Sequence, residues 1–326
     1  MITFLSAGLV AFILTFISGL IFIPVLKRIK AGQPILKYVK THETKNGTPT
    51  MGGLFFILPT TAVFFAAGGG NLKIATVSVA IGLFYMLIGF LDDFIKIKFN
   101  HNEGLKPYQK ILFQTAIAFL AGAFAFVNGL SVIYLPFVKK TVDIGYFIIF
   151  AVAFIFIAIT NSVNLTDGLD GLSGGVSVVY VLFISALCAL EKNFGFQYLK
   201  GDEYDGIFLL IFALAGGIIG FLIFNVPKAK VFMGDTGSLS LGGFLGAISA
   251  FSGNMLFIPI VGFAFVWSSI SVIIQVAHFK RTKRRVFLMA PFHHHLQMKG
   301  FTETQISFYY SVFTVIMGSI SVIFYL

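Results

Sequence analysis

Asp92-Asp93, then Asn161, Asn164, Asp167 and Asp170 at every third position, then Gly234-Asp235-Thr236-Gly237-Ser238, then His293-His294-His295 carry most of the chemistry-capable side chains in this sequence. A fifth cluster, from His42 to Gly53, includes Lys45 and the stretch Thr48-Pro49-Thr50-Met51-Gly52-Gly53. Carboxylates mixed with amides suit a hard cation such as Mg²⁺, which binds through one or two carboxylates together with substrate oxygens. Adjacent helical residues point about 100° apart, so Asp92 and Asp93 are expected to differ in role, with Lys96 one turn beyond them. An ordinary charged helix end is the plain alternative. In the run from Asn161 to Asp170 a helix would present a polar stripe, and Gly168 and Gly171 would allow a turn that brings backbone close to a ligand. A capped turn between helices needs only one such polar residue. Gly234 to Ser238 is expected to open a helix whose free N–H groups can hold a phosphate, against the simpler reading of Asp235 as an N-cap. Phe232 just before it could stack on a flat base. Consecutive histidines cannot all face one ion from a regular helix, so His293 to His295 are read as phosphate donors or proton carriers. A solvated loop is the alternative. Taken together, aspartates to organise Mg²⁺ and Lys45, Lys96, Lys110 and a histidine to neutralise phosphate are the equipment of phosphoryl transfer.

The elements that must position these groups are apolar runs long enough to cross a bilayer, where only a helix or a closed barrel satisfies the backbone. Ten such runs, 4–26, 54–70, 74–91, 111–127, 144–160, 172–190, 207–224, 238–251, 255–277 and 306–326, contain no Asp, Glu, Lys or Arg. The chain is 57% hydrophobic with 11% charged residues, which excludes an ordinary soluble domain. Lys and Arg are retained on the cytoplasmic side, and 18 of the 23 fall in the loops 27–53, 92–110, 161–171, 225–237 and 278–305. The expectation is an all-α integral membrane protein of ten transmembrane helices, both termini extracytoplasmic, with every polar cluster on the cytoplasmic face. Run 4–26 is preceded by no basic residue and reads as a retained span. Residues 1–326 are expected to form a single polytopic membrane domain. The net charge of +10 is a topology signal helped by anionic headgroups, and no nucleic-acid partner is expected. The single cysteine, Cys188, excludes a Cys-based zinc site. Residues 128–143 lean toward a short hairpin on the outer side, and Gly216 with Gly220, and Gly242 with Gly246, have the four-residue spacing that lets helices approach closely.

Thr48 to Gly53, Leu91-Asp92-Asp93, Asn161 to Leu172, Phe232 to Ser238 and Ala290-Pro291-Phe292-His293-His294-His295 closely resemble the phospho-N-acetylmuramoyl-pentapeptide-transferases, from the first loop to the last span. That resemblance implies transfer of phospho-MurNAc-pentapeptide from UDP-MurNAc-pentapeptide to undecaprenyl phosphate in the bacterial plasma membrane, giving lipid I and UMP with Mg²⁺. It also implies a ten-helix bundle and a homodimer. It places the metal-binding aspartate at Asp235 and the catalytic pair at Asp92 and Asp93, with Asp92 activating or orienting the lipid phosphate. Lys45, Lys96, Lys110, Asn164, Asp167 and His293 match cleft positions. Gly168, Leu169, Asp170 and Phe232 match the uridine pocket, with Asn225 in the same region, and His294 and His295 complete the signature. Gln297 stands where many relatives carry an acidic residue.

Direct attack by the lipid phosphate is favoured over a phospho-aspartate intermediate, because that nucleophile is already an anion and needs alignment more than activation. The nearer alternative is transfer of GlcNAc-1-phosphate from UDP-GlcNAc to a polyprenyl phosphate. A secondary transporter is the farther one, disfavoured because such proteins bury ionisable or broken-helix sites near the bilayer midplane.

Overall fold

The computed structural model describes residues 1–28, 47–99, 104–194 and 198–326. The first apolar run forms α1 (Ile2–Arg28), and the second forms α2 (Gly53–Ala66). There follow α3 (Lys73–Phe99), α4 (Pro107–Val127), a hairpin of β1 (Val132–Leu135) and β2 (Lys140–Asp143), α5 (Ile148–Thr166), α6 (Leu172–Phe194) and α7 (Glu203–Asn225). The chain ends with α8 (Gly234–Phe251), α9 (Ile258–Val261), α10 (Phe263–Thr282), α11 (Phe292–Met298) and α12 (Glu303–Tyr325). The expected hairpin is antiparallel, with Val132 opposite Asp143 and Leu135 opposite Lys140.

Among the described residues, eight helices are long and apolar enough to cross a membrane, namely α1, α3, α4, α5 with its leading turn, α6, α7, α10 and α12. The two remaining expected runs are helical but differ from these. At a rise of about 1.5 Å per residue, the 14 residues of α2 are short for the purpose. The helix α8 is buried along its whole length from Thr236 to Phe251, enclosed by neighbours that include α3 and α5. A helix that meets protein on every side needs small residues more than apolar ones, which explains its serines and glycines. The run 255–277, expected as one span, is broken. Pro259 has no N–H to donate, so a short turn at Met255–Phe257 and the single turn of α9 precede Gly262, after which α10 begins. The helix then continues past the apolar run to Thr282, ending where Lys283 adopts a left-handed conformation (φ 57°).

Close approach of backbones organises the bundle, as the paired glycines suggested. A Cβ at Gly216 would lie 1.9 Å from the Gly8 carbonyl oxygen of α1, and one at Gly242 would lie 2.5 Å from Thr160 Cα of α5. The tightest contact bearing on the polar clusters is between α3 and α8, where a Cβ at Gly89 would lie 2.0 Å from the Asp235 carbonyl oxygen. With little hydrophobic drive between helices in lipid, such contacts supply the packing. The two helices cannot separate locally without moving Asp235, so Gly89→Ala is expected to cost about 1–3 kcal/mol, the range for overpacking a filled interface. A lowered unfolding midpoint of the purified protein in detergent, with reduced activity, checks this; an unchanged midpoint would mean that the contact is looser than described.

Candidate active site

One end of the bundle gathers the C-terminal turns of α3 and α5, the first turns of α4 and α8, and α11. Pro107 at the first position of α4 fits the helix start and sets Lys110 one turn in. Lys110 donates to Asp235 Oδ2 at 2.6 Å, and Lys96 on α3 donates to the same oxygen at 3.2 Å. The other oxygen, Oδ1, accepts from the Asn164 side-chain amide at 2.7 Å, and Asn164 also donates to Ser238 Oγ at 2.8 Å. Asp235 is therefore not an N-cap, because its side chain turns outward from α8 to three partners on three other helices.

Asp92 and Asp93 have different partners, as their angular separation predicts. Asp92 pairs with Lys96 at 2.6 Å and accepts from the Leu105 N–H at 2.9 Å, tying the end of α3 to the approach of α4. Asp93, fully buried, accepts from Thr236 N–H at 2.9 Å, Thr236 Oγ1 at 2.7 Å and Asp235 N–H at 3.3 Å. A carboxylate from α3 thus caps α8. This corrects the expectation of a free helix terminus open to phosphate, since the Asp235 and Thr236 amides are already occupied. The cap suits the positive end of the helix dipole. It also requires Gly234, whose φ of 71° is left-handed and whose Cβ would lie 2.5 Å from both Asp93 Oδ2 and Thr50 Oγ1.

The Thr48–Gly53 stretch works through its backbone. Phe232 N–H donates to the Pro49 carbonyl at 2.8 Å, Gly52 N–H to the Phe232 carbonyl at 2.9 Å, and Gly53 N–H to the Met233 carbonyl at 3.0 Å. These bonds fix Phe232 beside a cavity of about 240 Å³ lined by Thr50, Lys96, Asn164, Asp167, Gly168, Leu169, Asp170, Asn225, Phe232, Met233, Gly234 and Asp235. Lys45 and His42 lie outside the described residues.

The turn after α5 forms the opposite wall. Gly171 takes the expected left-handed conformation (φ 72°), whereas Gly168 does not and is required for space: a Cβ there would lie 2.5 Å from His293 Nε2 and 3.1 Å from His294 Nε2. Asn225 accepts from Gly171 N–H at 3.0 Å and donates to the Val231 carbonyl at 2.9 Å, bracing both walls at once. Asp170 accepts from Ala229 N–H at 3.0 Å. Two residues of α12 that carried no signal in the sequence complete this wall: Glu303 accepts from Asp170 N–H at 3.2 Å, and Ser307 donates to the Asp170 carbonyl at 3.2 Å. Only their four-residue spacing at a helix start places them on one face, and nothing in that spacing points to a site. Asn161, although part of the polar stripe, donates to Gln114 Oε1 at 2.8 Å, joining α5 to α4.

The three histidines separate. His295 accepts from Leu288 N–H at 3.1 Å and packs beside Phe287 and Phe292, fixing the preceding loop. His294 lies within 3.2 Å of Gln297 Oε1. His293 is fully buried, and neither ring nitrogen has a hydrogen-bond partner among the described residues. Burial, reinforced by His294 beside it, holds its pKa well below the usual imidazole value. Burial likewise pushes the Asp167 carboxyl well above the usual carboxylate range, with Asp235, Asp93 and Asp170 adding to the effect.

Asp92, Asp93 and Asp235 bring carboxylate oxygens within 4.8 Å of one another, but the first two are committed to Lys96, Leu105 and the α8 terminus. Asp235 lines the cavity with Asp167, whose carboxylate has no hydrogen-bond or ion-pair partner among the described residues. Two carboxylates facing one polar cavity, one of them uncompensated, are a donor set that fits a hard divalent cation.

Residues 74–253 match the glycosyl transferase family 4 model, so that the spans from α3 to α8 and the polar clusters between them define a transferase embedded in a membrane. Residues 45–57 match phospho-N-acetylmuramoyl-pentapeptide-transferase signature 1. A phospho-N-acetylmuramoyl-pentapeptide-transferase of Clostridioides difficile is 40% identical, with 97% of this chain and 96% of that protein covered. One from Caldanaerobacter subterraneus is 40% identical with 98% and 97% covered, and one from Acetivibrio thermocellus is 39% identical with 96% and 94% covered. The chain belongs to the phospho-N-acetylmuramoyl-pentapeptide-transferase family and is a multi-pass bacterial membrane enzyme.

Two outcomes are expected from the buried groups. Asp93→Asn keeps one acceptor but loses the charge at the α8 terminus, so it should destabilise by about 0.5–2 kcal/mol, the range for a lost helix cap, and lower turnover by displacing Asp235. Wild-type stability with reduced turnover would instead assign Asp93 a direct chemical role. For His293, the unfolded imidazole titrates at about 6.5 and the folded one well below that. Its contribution to stability is therefore complete above about pH 6.5 and is lost as pH falls, because the unfolded chain then binds the extra proton. The unfolding midpoint should drop between about pH 7.5 and 5.5, and drop less in His293→Gln; parallel profiles would show that the ring is solvated.

Proposed function

We propose that this chain transfers phospho-MurNAc-pentapeptide from UDP-MurNAc-pentapeptide to undecaprenyl phosphate, releasing UMP and forming lipid I, with Mg²⁺ as cofactor. The observation that carries the reading is the convergence of Lys96, Lys110 and Asn164 on Asp235 at one wall of a polar cavity whose other wall is Gly168-Leu169-Asp170. Lysines 2.6 and 3.2 Å from Asp235 supply the positive charge that a pyrophosphate needs, and donors fixed in advance act without reorganising when charge develops. The relatives' names favour the muramoyl substrate over UDP-GlcNAc.

In this mechanism Phe232 stacks on uracil, and Gly168, Leu169, Asp170 and Asn225 shape the nucleoside pocket. Lys96 and Lys110 draw the pyrophosphate toward Asp235, and the resemblance assigns Lys45 to the same task. Asp92 orients the lipid phosphate, and an oxygen of that phosphate attacks the β-phosphorus of the UDP-sugar. The bond from that phosphorus to the oxygen bridging the two phosphates breaks, and UMP leaves with the electron pair. Asp235, beside Asp167, would hold Mg²⁺, which supplies charge neutralisation at the pyrophosphate when bound. Asp93 positions Asp235 through its cap on α8, while His293, uncharged, positions the Gly168 turn against which it packs. His294 reaches the same turn and completes the substrate-facing surface, with His295 holding their loop.

The topology that fits this chemistry has α2 and α8 completing ten crossings of a single polytopic domain. Both termini lie outside, and the site faces the cytoplasm, where the nucleotide is. The functional unit is taken to be a homodimer, as the resemblance implies.

UMP release by purified protein, measured with undecaprenyl phosphate and Mg²⁺, should require UDP-MurNAc-pentapeptide, stop with EDTA, and fall at least about 100-fold in Asp235→Ala. Release with UDP-GlcNAc alone would move the chain to the neighbouring specificity. A phospho-aspartate trapped without acceptor lipid would replace direct attack by a two-step route.

A further inference from the structure

The C-terminal half of α10 leaves the bundle. Ser271 is its last buried residue, and Ile273, Ile274, Val276 and Phe279 beyond it are exposed. Five of the next six positions, 280–285, are Lys or Arg, and no Asp or Glu occurs between Asp235 and Glu303. None of these five cations has an ion-pair partner among the described residues. The returning chain, 285–290, folds back beside α10 and encloses a cavity of about 620 Å³, lined by Val276, Phe279, Leu288 and Met289 together with Lys280 and Arg285.

This groove is built before any ligand arrives. Gln275 Oε1 accepts from Val286 N–H at 3.0 Å and Phe287 N–H at 2.9 Å, and its amide donates to the Phe287 carbonyl at 3.0 Å. Arg285 donates to the Leu288 carbonyl at 3.1 Å, and Leu288 N–H donates to His295. A prearranged wall lowers the ordering cost of binding. Its chemistry is divided: aliphatic and aromatic side chains for a hydrocarbon chain, and two cations for an anion.

We propose that this groove binds an anionic phospholipid of the surrounding leaflet, its headgroup at Lys280 and Arg285 and an acyl chain along Val276, Phe279, Leu288 and Met289. A soluble phosphate would leave the apolar lining uncovered, and a zwitterionic lipid would leave the charge of this acid-free segment uncompensated. The acceptor lipid is a poorer occupant, because the groove shares no lining residue with the cavity that contains Asp235.

Native mass spectrometry of the full-length protein in detergent tests this with three probes added separately and in competition: phosphatidylglycerol, phosphatidylcholine and undecaprenyl phosphate. Wild type should retain one phosphatidylglycerol in preference to phosphatidylcholine. Lys280→Gln with Arg285→Gln should weaken that retention at least about tenfold, since each cation near a headgroup contributes appreciably. Met289→Trp, which fills the groove and leaves the cations in place, should also expel the lipid, so the idea stays testable if the charge variant does not fold. Equal retention of the two phospholipids, retention unaffected by both variants, or stoichiometric displacement by undecaprenyl phosphate would overturn it.

Discussion

A helix that begins inside a membrane protein presents N–H groups that water cannot reach, and the rest of the site depends on how α8 solves that problem. The solution is Asp93. Its carboxylate accepts from both the Asp235 and Thr236 amides and from the Thr236 hydroxyl, which satisfies the terminus and places a negative charge at the positive end of the dipole. The consequences extend outward in every direction. The α3 and α8 backbones must nearly touch, so position 89 has no side chain. The turn into α8 must be left-handed, so position 234 has none either. The preceding residues must be held from the other side, which the backbone bonds from Pro49, Gly52 and Gly53 accomplish.

Once α8 is fixed, Asp235 is carried to a point where three helices can reach it. A carboxylate largely removed from water is costly unless it is paired and hydrogen-bonded, and here two ammonium groups and an amide provide that compensation. The same arrangement explains why the lysines are there. They neutralise Asp235, and in the proposed mechanism the same two charges meet the pyrophosphate. Asp167 has no such partner among the described residues, and burial raises its pKa, favouring the protonated, uncharged carboxyl.

Much of this was legible in the sequence, for identifiable reasons. Apolar runs free of charge announce helices because unpaired backbone groups have no partner in hydrocarbon, and the polar clusters between them are conspicuous against that background. The different duties of Asp92 and Asp93 followed from helical angular spacing. Where the reading departed from the structure, a through-space neighbour was the cause. The amides at the start of α8 belong to Asp93, Gly168 is small because His293 lies against it, and the run at 255–277 breaks because Pro259 cannot donate. Glu303 and Ser307 were invisible, since a helix start with a glutamate is commonplace until its partner, the Asp170 backbone, is known.

The sequence by itself determined the all-α membrane class, most of the apolar helices and the residue types available for chemistry, because hydropathy and periodicity are local properties of the chain. Only the tertiary structure decided which aspartate caps a helix and which is held by lysines, because those identities depend on hydrogen bonds between residues more than a hundred positions apart. Chemically identical carboxylates acquire separate roles from their neighbours.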